Sequence, residues 1–251
     1  MNREATDLAG VRHIAFDSLG STNAEALARV RAGERGPLWI TAAVQEAGRG
    51  RRGKGWVSPA GNLYSSLLLT DPAPPPVAAQ LSFVAALALH DAVAECTPQL
   101  GPALKVKWPN DLLLGEAKIA GILIEAESGP PLAAVIGMGV NCVSHPPDTP
   151  YAATDLASAG GLVTPDTLVR ALARAMQMRL AQWGRGEGFA AIRAAWLKRA
   201  AGLGREIRVR LPEHEFSGLF EGLDDIGRLL VRGADGVTAV TAGEVFGFGA
   251  A

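Results

Sequence analysis

At Gly202 and Gly204 the chain changes its period. Before these glycines, helical apolar patterns are interleaved with strands. After them every apolar run is short and bounded by turn residues. Residues 207–211, 216–223, 229–231 and 237–240 read as strands, with turns at Gly227 and at Asp235-Gly236. Few architectures accommodate such a switch. The expectation is a body of mixed helix and strand over 1–203, followed by a small all-β module over 204–251.

Within the body, Thr22 and Glu25 have capping-box spacing and predict a helix to about Gly33, with Leu27 and Val30 on one face. Residues 39–44 and 62–69 have strand character. The run DPAPPP at 71–76 breaks structure, and Leu81, Val84, Ala88 and Ala92 then recur at helical spacing. Leu104, Val106 and Trp108 alternate with Lys105 and Lys107, a strand with one buried face. Two further strands are expected at 119–125 and 133–140, and a polar, Pro-rich loop at 145–150. Thr164-Pro165 opens a helix to about Trp183, with Pro at its first position. A second helix puts Phe189, Ile192 and Trp196 on one face.

Composition narrows function by exclusion. The formal net charge is -1 and aromatic content 6%, which argues against wholesale nucleic-acid or membrane-surface binding. Cys96 and Cys142 have no Cys-x-x-Cys spacing, give no metal motif and suit a reducing compartment. The N-terminus lacks an apolar signal core, and the best apolar run, 81–93, is broken by His90 and Asp91. A cytoplasmic protein is expected. The four histidines show no ligand spacing.

Against that neutral background, residues 45–56 read QEAGRGRRGKGW. Arg49, Arg51, Arg52 and Lys54 are interleaved with Gly48, Gly50, Gly53 and Gly55. Arginine forks grip carboxylate or phosphate, and glycines let the backbone approach the ligand. The spacing is not that of a Walker A loop. A flexible loop that closes over an anion is expected, the alternative being a solvated basic turn. In KWPND, Asn110 and Asp111 sit at a strand end, where a carboxylate can hold Mg²⁺ or orient an amine; the alternative is a turn they merely shape. Lys118 opens the next strand and Gly121 lies within it. In IGMGVN, Gly137 and Gly139 invite close packing on bare backbone, or else form a bulge, and Asn141 offers an amide. Ser21-Thr22-Asn23 offers small polar groups at a helix start, for a urea- or amide-like ligand or for capping.

In this order the segments resemble the biotin protein ligases, from about Ser18 to Val245, with Ala242-Gly243-Glu244-Val245 similar to that family's terminal module. The resemblance implies an α+β fold: a catalytic domain like class II aminoacyl-tRNA synthetases, with an antiparallel-rich mixed sheet and flanking helices, plus a small Src-homology-3-type β-barrel. It implies activation of biotin with ATP and Mg²⁺ as biotinyl-5′-AMP, then transfer to a lysine of a biotin carboxyl carrier domain. No metal ligand is assigned. Ser21, Thr22, Asn23, Gln45, Gly48, Arg49, Gly50, Arg51, Trp56, Lys118, Gly121, Gly137 and Gly139 would bind biotin. Arg51, Arg52, Lys54, Trp108, Asn110, Asp111, Lys118 and Asn141 would face the nucleotide, and Arg49, Arg51, Asp111 and Lys118 the chemistry.

Two departures from the family pattern bear on this. Lys54 stands where Arg is common, and the 145–153 loop matches loosely. With the motifs beginning at Ser21, no helix-turn-helix and hence no DNA partner is expected; with no apolar run approaching a span, no membrane partner is expected either, and a homodimer is left open. Lipoate or octanoate attachment by the same superfamily is the alternative, then a nucleic-acid-binding module.

Overall fold

The computed structural model describes residues 6–247. Eight strands form one mixed sheet: β1 (Thr6–Leu8), β2 (Val11–Leu19), β3 (Leu38–Gln45), β4 (Leu63–Thr70), β5 (Leu104–Lys107), β6 (Asp111–Leu114), β7 (Ala117–Glu127) and β8 (Ala133–Val140). Their order is β1-β2-β3-β4-β8-β7-β6-β5. Neighbours run antiparallel except β2 and β3, whose parallel pairing is made possible by the crossover helix α1 (Thr22–Arg31) between them. A second, antiparallel sheet of β9 (Glu206–Arg210), β10 (Glu215–Leu223), β11 (Leu229–Gly233), β12 (Gly236–Val240) and β13 (Glu244–Phe246) has the order β12-β11-β10-β9-β13. The expected α+β class is what is observed, with its antiparallel-rich mixed sheet and small C-terminal β module.

The two faces of the large sheet are covered differently. On one, α3 (Leu81–Cys96), α4 (Pro165–Trp183) and α5 (Phe189–Leu197) pack on Ile136, Met138 and Val140 of β8 and on Leu63 and Leu67 of β4, forming the main core. The other face is covered only in part, where Ala26 and Leu27 of α1 meet Leu38, Ile40, Leu68 and Val135. Because strand residues alternate in direction, β8 shows this second face Ala133, Val135, Gly137 and Gly139 in turn. Apolar cover ends where the glycines begin, and the register aligns Gly139 with Tyr64 and Gly121, and Gly137 with Ser66 and Leu123.

Several expectations need correction. The helix at Thr22 is capped by Ser21, whose side chain accepts from the Ala24 N–H, so Thr22 is freed for another task. The Pro-rich stretch does not simply break structure: it starts a short helix, α2 (Pro75–Ala78), which runs almost into α3. The stretch Pro75–Cys96 is apolar and long enough to cross a membrane, but 72% of that window is buried inside the fold. Trp108 falls beyond β5 in the turn, buried, with its indole N–H donating to the Gly227 carbonyl at 3.3 Å. Gly227 belongs to the β10–β11 turn and has φ +91; a side chain there would meet the Phe83 ring at 2.6 Å. The second sheet is thus wedged against an aromatic cluster in which the Phe83 ring centroid lies 5.6 Å from those of both Phe189 and Trp196. IGMGVN carries no bulge: β8 keeps continuous register with both neighbours.

Candidate active site

A cavity of about 230 Å³ lies on the glycine-bearing face, between the start of α1, the loop after β3, the β5–β6 turn and β13. Most of the residues singled out from the sequence line it. Ser21, Thr22, Asn23, Gln45, Arg49, Gly50, Arg51, Lys54, Trp56, Trp108, Asn110, Asp111, Lys118, Gly121, Gly137 and Gly139 all do so. Gly48, Arg52 and Asn141 do not. The N–H of Asn141 Nδ2 goes to the Thr154 carbonyl at 3.0 Å, so this residue ties down the following loop.

The glycines make room first for the protein's own side chains. A Cβ on Gly137 would sit 2.3 Å from Asn23 Oδ1, and one on Gly139 would sit 2.7 Å from Trp56 Nε1. A Cβ on Gly121 would sit 3.1 Å from the same indole. The indole and the Asn23 amide therefore lie almost against the sheet. Trp56 Nε1 is buried without a hydrogen-bond partner, leaving one unused donor at the cavity wall.

At one end of the cavity a hydrogen-bond chain runs through small polar groups. Gln45 Oε1 accepts from the Thr22 N–H at 2.9 Å and from its hydroxyl at 3.2 Å. Gln45 Nε2 donates to Ser58 Oγ at 3.0 Å, and that hydroxyl donates to the Trp56 carbonyl at 2.8 Å. Ser66, fully buried on β4, lies 2.7 Å from Thr22 Oγ1 and 2.6 Å from Asn23 Oδ1. Asn23 Nδ2 donates to the Leu123 carbonyl at 3.2 Å and to Glu125 Oε2 at 2.9 Å. Buried polar groups need such partners, since an unsatisfied one costs ~1–3 kcal/mol.

The Gly/Arg loop is neither a loose tether nor a solvated turn. Arg49 and Gly55 form a β-bridge, Gly50 N–H bonds the Lys54 carbonyl at 2.7 Å, and Trp56 N–H bonds the Gly48 carbonyl at 2.9 Å. Its tip turns through Arg52 at φ 56 and Gly53 at φ 71. The result is a small hairpin, three of whose four cations are already engaged. Arg49 Nη2 reaches Glu125 at 2.8 Å, Arg51 Nη1 reaches Asn110 Oδ1 at 3.2 Å, and Lys54 Nζ reaches Glu244 of β13 at 2.5 Å. Burial, then the neighbouring Arg52, draws the Arg51 guanidinium below its ordinary value. Lys54 helps hold Glu244 below the usual carboxylate range.

At the other end Asp111 stands between two lysines. Its Oδ1 is 2.7 Å from Lys118 Nζ and its Oδ2 is 3.1 Å from Lys107 Nζ. Burial pushes this carboxyl up, but Lys118 and then Lys107 outweigh it and hold it below its ordinary 3.8. Lys118 Nζ also lies 5.3 Å from the centroids of both Trp56 and Tyr151. Asn110 holds the turn: Nδ2 donates to the Ile122 carbonyl at 2.6 Å, and the Ile122 N–H returns to the Asn110 carbonyl at 2.9 Å. Sequence reasoning passed over Lys107, Tyr151, Ser66, Glu125 and, from the second sheet, Arg210, Glu244 and Phe246. Only Lys107 and Glu244 had a local signal: Lys107 sits two residues before the Pro of KWPND, and Glu244 lies in the 242–245 run that resembles the family's terminal module. Chemically, one end offers a neutral polar frame, and the other gathers cations where two anions could meet.

Fold and site together define a protein ligase of the biotin and lipoate class. The Biotin/lipoate A/B protein ligase family matches residues 17–141, and the Biotin protein ligase C terminal domain matches 202–246. The chain is 46% identical over 236 residues to a biotin–[acetyl-CoA-carboxylase] ligase of Paracoccus denitrificans, covering 90% of this chain and 96% of that one. A namesake from Mycobacterium tuberculosis is 34% identical over 232 residues, 90% and 85% of the two chains. Among solved structures, the Aquifex aeolicus biotin protein ligase in complex with biotin and ATP superposes with TM-score 0.78 at 26% identity, over 93% and 97% of the two chains. The chain belongs to the biotin protein ligase family.

Proposed function

We propose that this protein activates biotin with ATP as biotinyl-5′-AMP, releasing pyrophosphate, and transfers the biotinyl group to a lysine of a biotin carboxyl carrier domain. One observation carries the reading: Arg51 and Lys118 converge beside a buried carboxylate, next to a neutral polar pocket, in a chain of this family. On this reading the body, 1–203, supplies the reacting centre, and 204–251 closes it through β13. On the same reading the protein works in the cytoplasm, where ATP and the carrier substrate would meet.

In the first step the biotin carboxylate attacks the α-phosphorus and the bond to the pyrophosphate oxygen breaks. Two unit negative charges at ~4 Å repel by ~4 kcal/mol at an effective dielectric of about 20, or about three decades of rate. Lys118 and Arg51 cancel that repulsion and stabilise the charge that builds on phosphorus. The ureido ring meets the Thr22, Gln45 and Ser21 end, where donors and acceptors are pre-oriented by the chain through Ser58 and Ser66. Trp56 and the hairpin keep water from the mixed anhydride. Magnesium would accompany the triphosphate. Among the described residues no group of three His, Cys, Asp or Glu side chains converges to hold a metal, and the two carboxylates that line the cavity, Asp111 and Glu244, are already engaged by cations.

In the second step the carrier lysine attacks the acyl carbon and AMP leaves. The amine must be neutral, and Asp111 is placed to orient it and take its proton once Lys118 has turned toward the phosphate. Incubation with biotin, Mg²⁺-ATP and an acceptor domain should yield covalently biotinylated acceptor. An unlabelled acceptor, when a competent control ligase labels the same preparation, would sink the proposal.

A further inference from the structure

Glu125 lies on the site face of β7, in the sheet row of Val135 and Leu68. A carboxylate in that apolar row is costly unless paired. Its Oε2 accepts from Asn23 Nδ2 at 2.9 Å and from Arg49 Nη2 at 2.8 Å. The first partner is 102 residues away at the start of α1, the second 76 residues away at the base of the hairpin. Asn23 in turn meets Ser66 and Ser66 meets Thr22, whose backbone N–H donates to Gln45; Gln45 donates to Ser58, and that hydroxyl to the Trp56 carbonyl at the far base of the same hairpin. The connections form a closed circuit with both ends in the Gly/Arg loop. Glu125 is the one charged acceptor in it, and charge-assisted bonds are the strong ones.

We infer that Glu125 is a positioning residue: it fixes the Asn23 amide and docks the hairpin through Arg49, so that the ring-binding end of the cavity is built before substrate arrives. Both Asn23 donors are spent on Leu123 and Glu125 and its oxygen on Ser66. Asn23 is therefore a strut under Thr22 and Gln45, without a spare donor for ligand. Removing Glu125 leaves Asn23 short of an acceptor and Arg49 without its ion partner. The hairpin base then loosens, and the cost falls on binding of the small molecule, while the chemistry at Lys118 and Asp111, on the far side of Trp56, is unchanged.

The inference rests on the biotin-ligase reading for its substrate but not for its structural half, and the two can be tested separately. The hairpin carries four tryptic sites, at Arg49, Arg51, Arg52 and Lys54. In Glu125→Ala without ligands, tryptic cleavage of the hairpin should quicken by roughly tenfold, the size of one lost charge-assisted bond. The KM for biotin should rise by a similar factor, with kcat for transfer from preformed adenylate within about twofold of wild type. Glu125→Gln keeps an acceptor and should fall between, and it decides the matter if Glu125→Ala does not fold. Unchanged cleavage overturns the docking role. Faster cleavage with unchanged KM, or a loss confined to kcat, overturns the coupling to the binding end. If wild-type protein does not use biotin, the function reading fails while the cleavage comparison still stands or falls alone.

Discussion

Strand β8 serves two regions that share a backbone and little else. Toward α3 and α4 it presents Ile136, Met138 and Val140, all buried in the main core. Toward the loop after β3 it presents Gly137 and Gly139, over which Asn23 and Trp56 lie. One face maximises buried apolar area. The other gives it up at alternate positions, so that a polar strut and an indole can press against the sheet. The lesson is that IGMGVN is a stability motif and a site motif read in alternation, and substitutions at adjacent positions should fail in different ways.

The largest effect should come from the site face. Lys118→Ala or Arg51→Ala should each lower the rate of adenylate formation by ~10²–10³-fold; Lys118→Ala should also lower the melting temperature, because it strips the buried Asp111 of its nearer cation; a rate within a few-fold of wild type would remove the residue from the reacting centre. Next come neighbours on β8. Ile136→Ala should cost ~2–5 kcal/mol of stability, read by urea unfolding, with KM values unchanged in the folded protein. Gly139→Ala should do the reverse: its methyl displaces the Trp56 indole, lowering kcat/KM by ~10²-fold while the unfolding midpoint moves little. If both variants lost stability alike, the division between the faces would be wrong.

The buried carboxylate gives a pH test. The folded-state pKa of Asp111 lies below its ordinary 3.8, so the unfolded chain binds that proton more readily. Its contribution to stability is complete above about pH 3.8 and is lost as pH falls through the folded value. Asp111→Asn should therefore show a shallower loss of stability in acid than wild type, and should transfer poorly from preformed adenylate. Equal acid slopes would contradict the ion pairs with Lys118 and Lys107. The smallest effect is expected at Lys54, whose side chain is 56% exposed. Lys54→Ala should change stability by no more than ~1 kcal/mol, with an effect on turnover that fades as salt rises.

What could be read from the sequence divides along the same line. Contiguous motifs were legible: GRGRRGKGW, KWPND and GMGVN each carry several site residues on one local element, and the helices with apolar spacing fell where expected. The strands β1 and β2 were not legible. Arg12, His13 and Asp17 break their alternation, and the polarity is settled only by distant partners, as when His13 sits between the hydroxyls of Thr6 and Thr41 at 2.9 and 2.8 Å. β6 and β13 span only Asp111–Leu114 and Glu244–Phe246, too short for a period to show. Glu125 looked like the polar end of a strand, and nothing local announces partners on α1 and the hairpin. The loop's order was missed for a related reason: its glycines suggest freedom, while Glu125, Asn110 and Glu244 restrain it from three other elements.

The central claim is that the cations on the glycine-bearing face serve a biotin carboxylate and the α-phosphate it attacks. Exchange of labelled pyrophosphate into ATP tests it most directly, because it reports adenylate formation alone. Exchange that appears with biotin, and neither with lipoate nor without an acid, is the predicted result. Exchange that ignores biotin, or that follows lipoate instead, would contradict it.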